Sequence, residues 1–269
     1  MLLQIQYKKL YHFRFTPENK LRYTQNIMYL LKVSERPVIP MAEEIVETST
    51  LGDGTTSYRH TGVYQDRKIP IKCNFVLNSK KEYLDRIYKI QQYFNGNKGI
   101  LELTSDDREH YWKVKNVTFD MDSRDFGRGS EFTITFICEP YRYVNKYSRP
   151  YDIVSGKKVE LANYYETAYP IYRLYNTSMN AKTITINCNG NNFTIANPFN
   201  GTSDISYVEI NTENSYMKTY YKNGSYKYDT LKTSGSFDGL KFNYGSNNVL
   251  ITTDIGAIRA EIIRNYREK

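Results

Sequence analysis

The sequence predicts a mainly β protein of two domains, an α+β N-terminal domain with one principal helix over residues 1–144 and an all-β sandwich over residues 145–269. Three observations carry this. Apolar residues alternate at period two through Ile69–Leu77 and, without a fault, at Phe132, Ile134, Phe136 and Cys138, the pattern of strands buried on one face. One stretch alone, Ser79–Asn95, has strong helical periodicity. From Val159 onward, short strand patterns recur at about the 8–12-residue spacing of a sandwich, separated by Asn/Gly turns. A length of 269 residues accommodates two ordinary domains.

The start, Met1–Lys9, alternates apolar with polar residues and carries its charge after the apolar part, the reverse of a secretory signal, so it reads as a strand. An apolar stretch, Asn26–Val33, ends in a break at Glu35-Arg-Pro37, and Pro40 follows; two prolines this close mark a connection, because each fixes φ and lacks a ladder donor. Glu43–Thr48 then leads into Leu51–Ser57, where Asp53-Gly54 signals a turn. In the helix, Ser79 and Glu82 stand at capping-box spacing. Tyr83, Ile87, Ile90 and Phe94 form the apolar stripe, with Leu84 widening it, and Asn95-Gly96 supplies the stop. The stripe must cover a sheet, so Ile87→Asp should be costly. Strands follow at Ile100–Thr104, Tyr111–Phe119 and Ser130–Cys138, with turns at Ser105–Arg108 and Phe126–Gly129. Glu139-Pro-Tyr141 closes the last of these, and the polar stretch to Lys158 reads as a connection. In the second half the expected strands are Tyr169–Tyr175, Lys182–Asn187, Asn192–Ile195, Tyr207–Asn211, Tyr216–Tyr221, Gly239–Phe242, Asn248–Thr252 and Ala257–Ile263, with no convincing helix.

Composition narrows the function classes. With 40% hydrophobic and 25% charged residues the chain is neither disordered nor membrane-embedded, and no stretch approaches the ~18 consecutive apolar residues of a spanning helix. Cys73, Cys138 and Cys188 are odd in number and far apart, which argues against a disulfide framework and a zinc site, so the maker's cytoplasm is the expected compartment. The net charge of +8 divides at Pro140 into +3 (21 Lys+Arg, 18 Asp+Glu) and +5 (16 and 11), with no basic run, which argues against a sequence-specific DNA reader. The 27 Tyr suit wide contact surfaces and half-buried sheets; coding from an AT-rich genome would give the same bias.

No catalytic, cofactor or metal site emerges. His12, His60 and His110 have no partner at ligand spacing. Asp120–Asp125 with Glu131 imitates part of a calcium loop, but Arg124 stands at a ligand position, Asp125 replaces the turn glycine, and strands flank it; a solvated hairpin is the favoured reading. Gly52-Asp-Gly54 lacks the third glycine of a dinucleotide loop, and neither a phosphate-binding loop nor a nucleophile elbow is present. Glu43-Glu44 and Asp106-Asp107 are adjacent, which points each pair apart.

The order of the pieces resembles the distal tail protein (Dit) family of phages with long tails. The likeness is carried by Glu35-Arg-Pro37 and Pro40, the glycine turn, Tyr58–Ile71, one capped helix and Phe132–Tyr141, then Val159–Asn163, Ala168–Tyr172 and Gly245–Ile251. The charged segment Tyr11–Gln25, with Pro17, departs from the pattern. The resemblance implies a structural, non-enzymatic virion protein assembled in the bacterial host cytoplasm. Residues 1–144 would form a tail-tube-like domain building a homo-hexameric ring at the tail tip, and residues 145–269 an outward galectin-like sandwich. It further implies partners in the tail tube protein, a tail-associated tip protein and a receptor-binding protein, with DNA passing through the channel without specific binding, no membrane and no cofactor. Such a channel should be polar with dispersed or negative charge, and the turns Ser105–Arg108 and Asp120–Gly129 are candidates to line it or to contact the next ring, the alternative being that both face solvent on the outer rim. The rival reading is a carbohydrate-binding, lectin-like adhesion module, although the one Trp, Trp112, lies in the other domain. A tail-tip hydrolase has no supporting motif.

Overall fold

A computed structural model describes residues 11–18, 30–76, 80–125, 129–177, 180–228 and 231–269. The N-terminal strand expected over Met1–Lys9, the cap residue Ser79 and most of the Phe126–Gly129 turn lie outside these. The chain divides into two compact units, one reaching to Arg142 and taking in Lys269, the other Tyr143–Glu268.

The first unit contains β1 (Arg14–Pro17), β2 (Lys32–Val33), β3 (Glu44–Thr50), β4 (Thr56–Tyr64), β5 (Arg67–Val76), α1 (Lys80–Phe94), β6 (Gly99–Glu102), β7 (His110–Asp125) and most of β8 (Gly129–Val144). The main sheet runs in the order β1-β6-β7-β8-β5-β2, and β3 and β4 form a hairpin of their own. Alternation does what the sequence promised: Ile69, Ile71, Cys73 and Phe75 of β5 and Phe132, Ile134, Phe136 and Cys138 of β8 are all buried, and the strands pair antiparallel with Ile71 opposite Ile134. The helix lays Tyr83, Ile87, Ile90 and Phe94 into the same core, where the Phe94 ring meets those of Phe15 and Phe136. Gly96, at φ 74°, turns the chain out of the helix and donates its N–H to the Val117 carbonyl.

Leu84 does not widen the stripe. It is half exposed, and Tyr93 occupies the opposite flank, its hydroxyl donating to the Phe15 carbonyl at 2.8 Å. A phenol that both fills the core and satisfies a carbonyl claims that flank, leaving the other to solvent. The calcium-like run Asp120–Asp125 is also not a loop, because β7 continues through it to Asp125.

The second unit contains β9 (Tyr151–Val154), β10 (Lys158–Asn163), β11 (Ile171–Tyr175), β12 (Thr183–Cys188), β13 (Asn191–Ala196), β14 (Ile205–Asn211), β15 (Tyr216–Tyr221), β16 (Tyr226–Tyr228), β17 (Thr233–Ser234), β18 (Gly245–Thr253), β19 (Arg259–Ile263) and β20 (Arg267–Glu268). One sheet has the order β10-β18-β12-β13-β17 and the other β16-β15-β14-β11-β19-β9. Both contribute to a single core, with Ile184, Ile186, Phe193, Val249 and Ile251 from the first and Tyr172, Leu174, Val208, Ile210 and Ile262 from the second, which makes the unit a β-sandwich.

Two expectations fail here. The polar stretch before Lys158 includes β9, an edge strand paired with β19 that buries only Ile153. Gly239–Phe242 is no strand: Phe237–Leu240 form a 3-10 turn whose start is capped by the Ser236 hydroxyl, and Phe242 makes a single bridge with Ala168. The asparagines have positional work. Asn189, Asn197, Asn200 and Asn265 adopt positive φ, and the buried amide of Asn247 donates to the carbonyls of Asn243 and Gly245.

All three cysteines are buried and unpaired with one another; burial pushes the Cys73 thiol up to about 12 and Cys188 to about 11. Thiol reagents are therefore expected to label the folded protein far more slowly than the denatured chain, where all three sites react; rapid labelling of the native state would contradict the buried placement.

Candidate functional site

The hairpin β3–β4 is the part of the first unit that its own core does not explain. Thr50 pairs with Thr56 across the Leu51–Thr55 turn, in which Gly54 takes φ 85° and Asp53 accepts from the Thr55 amide and hydroxyl. The register shifts between Glu44 and Val46. Opposite this bulge Gly62, at φ 72°, donates its N–H to Glu44 at 2.7 Å, and His60 sits 3.0 Å from the same carboxylate. These contacts, the Gly62 amide foremost, hold the Glu44 carboxyl below its usual range. An isolated two-stranded hairpin is marginal in water. This one nevertheless exposes Ile45, Leu51, Tyr58 and Val63, and the approach to it exposes Val38 and Met41, at 77% and 87%. None of these side chains belongs to the core of the unit.

The root of the hairpin is fixed by Arg67. Its side chain is buried and donates Nε to the Pro140 carbonyl at 2.6 Å and Nη1 to the Pro40 carbonyl at 3.1 Å, tying the hairpin's entry to β8. A cavity of about 280 Å³ lies beside it, lined by Pro40, Met41, Glu43, Gln65, Asp66, Arg67 and Lys68. Desolvation, then the neighbouring Arg142, lowers the Arg67 pKa.

The turn Ser105–Arg108 is held in place from three directions. Asp106 accepts from the Tyr11 hydroxyl at 2.7 Å and pairs with Arg36 at 2.8 Å. Asp107 accepts from the Glu109 amide at 2.8 Å, lies 2.6 Å from His110, and has Arg142 at 3.5 Å. The adjacent carboxylates do point apart, and each faces a cation. Burial opposes ionisation of Asp107, but the Glu109 amide and His110 outweigh it, and its pKa is lowered. A depressed carboxyl stabilises the fold above its unfolded pKa and loses that contribution as pH falls through the folded one. Asp107→Asn is thus expected to cost about 1 kcal/mol at neutral pH, and its deficit to begin to shrink as the pH falls below about 4 and to be lost as it passes through the lowered folded pKa; a melting deficit that stays the same from neutral pH to well below 4 would contradict this.

The three histidines form no common site: His60 serves the hairpin, His110 serves Asp107, and His12 contributes main-chain bonds to Ser105. Among the described residues no group of three His, Cys, Asp or Glu is placed to hold a metal ion. Among the described residues the first unit thus presents a main sheet with a buried core and a separate hairpin with exposed apolar side chains.

Residues 52–138, from the hairpin turn to the end of the buried alternation in β8, match the phage tail protein RIFT-related domain. Over the whole chain the fold is similar to the crystal structure of the SPP1 phage Dit (gp 19.1) protein, with a TM-score of 0.59 at 12% identity, covering 96% of this chain and 98% of that one. A chain of the phage P2 baseplate, in its activated conformation with Ca, aligns at a TM-score of 0.48 and 10% identity over 94% of this chain and 90% of that one. No curated protein matches the sequence. Residues 52–138 are therefore similar to a phage tail domain, and over nearly its full length the chain has the fold of the SPP1 Dit protein, the family that its sequence resembles.

Proposed function

We propose that this protein is a structural hub of a phage tail tip. Six copies close into a ring through the first unit, the ring joins the tail tube protein to a tail-associated tip protein, the second unit points outward toward receptor-binding proteins, and DNA crosses the channel without being held. The observation that carries the reading is the hairpin within and beside the matched tail domain: an exposed two-stranded element bearing Ile45, Leu51, Tyr58 and Val63 gains stability when a neighbouring copy covers it. Closed cyclic symmetry provides that cover for every copy at once. The SPP1 protein of the same fold is described as a hub of an adsorption apparatus in phages infecting Gram-positive bacteria.

Passive conduction requires a lining that does not bind phosphates through counterion release. Asp106 and Asp107 are each offset by a cation, so the Ser105–Arg108 turn offers neither a cationic patch nor a strongly acidic one. Negative-stain images of the full-length protein should show closed six-fold rings. Filter binding at physiological salt should show only weak, salt-sensitive retention of DNA. Compact single particles, or tight sequence-independent DNA binding, would count against the hub.

A further inference from the structure

Arg67 holds the root of the hairpin, yet its charge has no counterpart in the chain. Of its five N–H groups, Nε and one on Nη1 are spent on the Pro140 and Pro40 carbonyls, and Nη2, also buried, bonds to no protein group. A buried cation ordinarily faces a carboxylate. Among the described residues none pairs with Arg67, and the neighbouring charge is a second cation, Arg142. The cavity beside Arg67 carries the same imbalance. Of the two acids in its wall, Asp66 is taken by Lys115 at 2.7 Å, which leaves Glu43 against Arg67 and Lys68. Pro40 and the strongly exposed Met41 add apolar surface to that wall. Such a site suits a segment that offers one carboxylate and one aliphatic side chain close together.

The turn at the far end of the same hairpin offers that pair. Leu51 is half exposed, and Asp53, two residues on, is exposed. Both bonds from Thr55 fall on Oδ1 of Asp53, so Oδ2 is able to accept from outside the turn. The turn cannot serve the cavity of its own chain, because β3, seven residues long, sets the two about 23 Å apart.

We propose that the cavity at the hairpin root is the socket for the hairpin turn of a second copy of this chain, with Leu51 seated against Pro40 and Met41 and the Asp53 carboxylate set against Lys68 and Arg67. This rests on the ring reading and deepens it by naming the patch that receives the hairpin. Turn and socket are different patches of one unit, so the contact is head-to-tail, the arrangement that builds a ring when its rotation closes. It also brings a carboxylate to the one wall of the unit where two cations face a single acid, and charge-assisted bonds of this kind are stronger than neutral ones.

The test is disulfide trapping and charge exchange in the full-length chain, with sedimentation reporting assembly. A variant carrying both Leu51→Cys and Met41→Cys, oxidised with copper phenanthroline, should give a series of covalent multiples up to six on a denaturing gel, and neither substitution alone should give that series. A disulfide needs Cβ atoms about 4 Å apart, so the bond reports a seated turn, and the buried native cysteines do not compete. Asp53→Lys and Lys68→Asp should each raise the concentration needed for half-assembly about tenfold or more, and the two together should return it to within about threefold of the unmodified chain. Asp53→Asn, which keeps an acceptor for Thr55 and removes the charge, should also weaken assembly. If the double-cysteine variant no longer assembles, the charge exchange decides alone. Rings of that variant without the covalent series, or Asp53→Lys assembling like the unmodified chain, would overturn the socket and leave the hub standing; an unmodified chain that forms no ring would overturn both.

Discussion

Ile87→Asp is expected to destabilise the first unit by about 3–5 kcal/mol, the cost of an uncompensated charge in a closed core. Ile87 is 6% exposed and belongs to the cluster that α1 forms with β5 and β8 through Tyr83, Ile90 and Phe94. Calorimetry should show the transition of that unit falling by roughly 10 °C or more. Leu84→Asp, one turn earlier on the solvent flank, is the matched control, and a small effect there separates loss of burial from loss of helix propensity. Unchanged melting of Ile87→Asp would mean that the stripe is not buried.

Replacing residues 45–63 by a short Gly-Ser connection is expected to abolish ring formation while leaving the first unit folded. Folding should survive because no hairpin side chain belongs to the hydrophobic core, and Arg67 anchors to Pro40 and Pro140, outside the excised stretch. Assembly should fail because the exposed apolar residues that a neighbour would cover, Ile45, Leu51, Tyr58 and Val63, are gone. Sedimentation of the shortened and full-length chains side by side measures the difference. Rings formed equally well by both would remove the hairpin from the assembly surface.

The elements that the sequence made legible are those with one buried face. In β5 and β8 every second side chain enters the core, and in α1 four apolar residues at helical spacing do so, so that periodicity alone located them. Turn chemistry located the β3–β4 hairpin through Asp53-Gly54. Short edge strands escaped: β9 buries a single residue and β16 none, so neither has an alternation to read. Leu84 was misplaced because hydropathy cannot say which flank of a stripe a hydrogen-bonding Tyr93 will take.

The surfaces that bear on function depend on register, which is non-local. Arg67 finds its two carbonyls 27 and 73 residues away, and nothing near it in sequence marks it as a clamp. The abundance of tyrosine was plain from composition, but the ladder Tyr175–Tyr207–Tyr220–Tyr226 exists only once four strands pair in register. The three cysteines are buried apart from one another, and His12, His60 and His110 each bond within their own turn or hairpin, positions that their spacing along the sequence does not by itself give.

The central claim is that the chain closes on itself into a six-membered ring. Native mass spectrometry of the full-length protein over a rising concentration series tests it most directly. The account predicts a dominant species of six times the chain mass, appearing without populated open intermediates, as closure of a cyclic interface requires. A monomer that persists at the highest concentration, or an open-ended ladder of larger species, would contradict it.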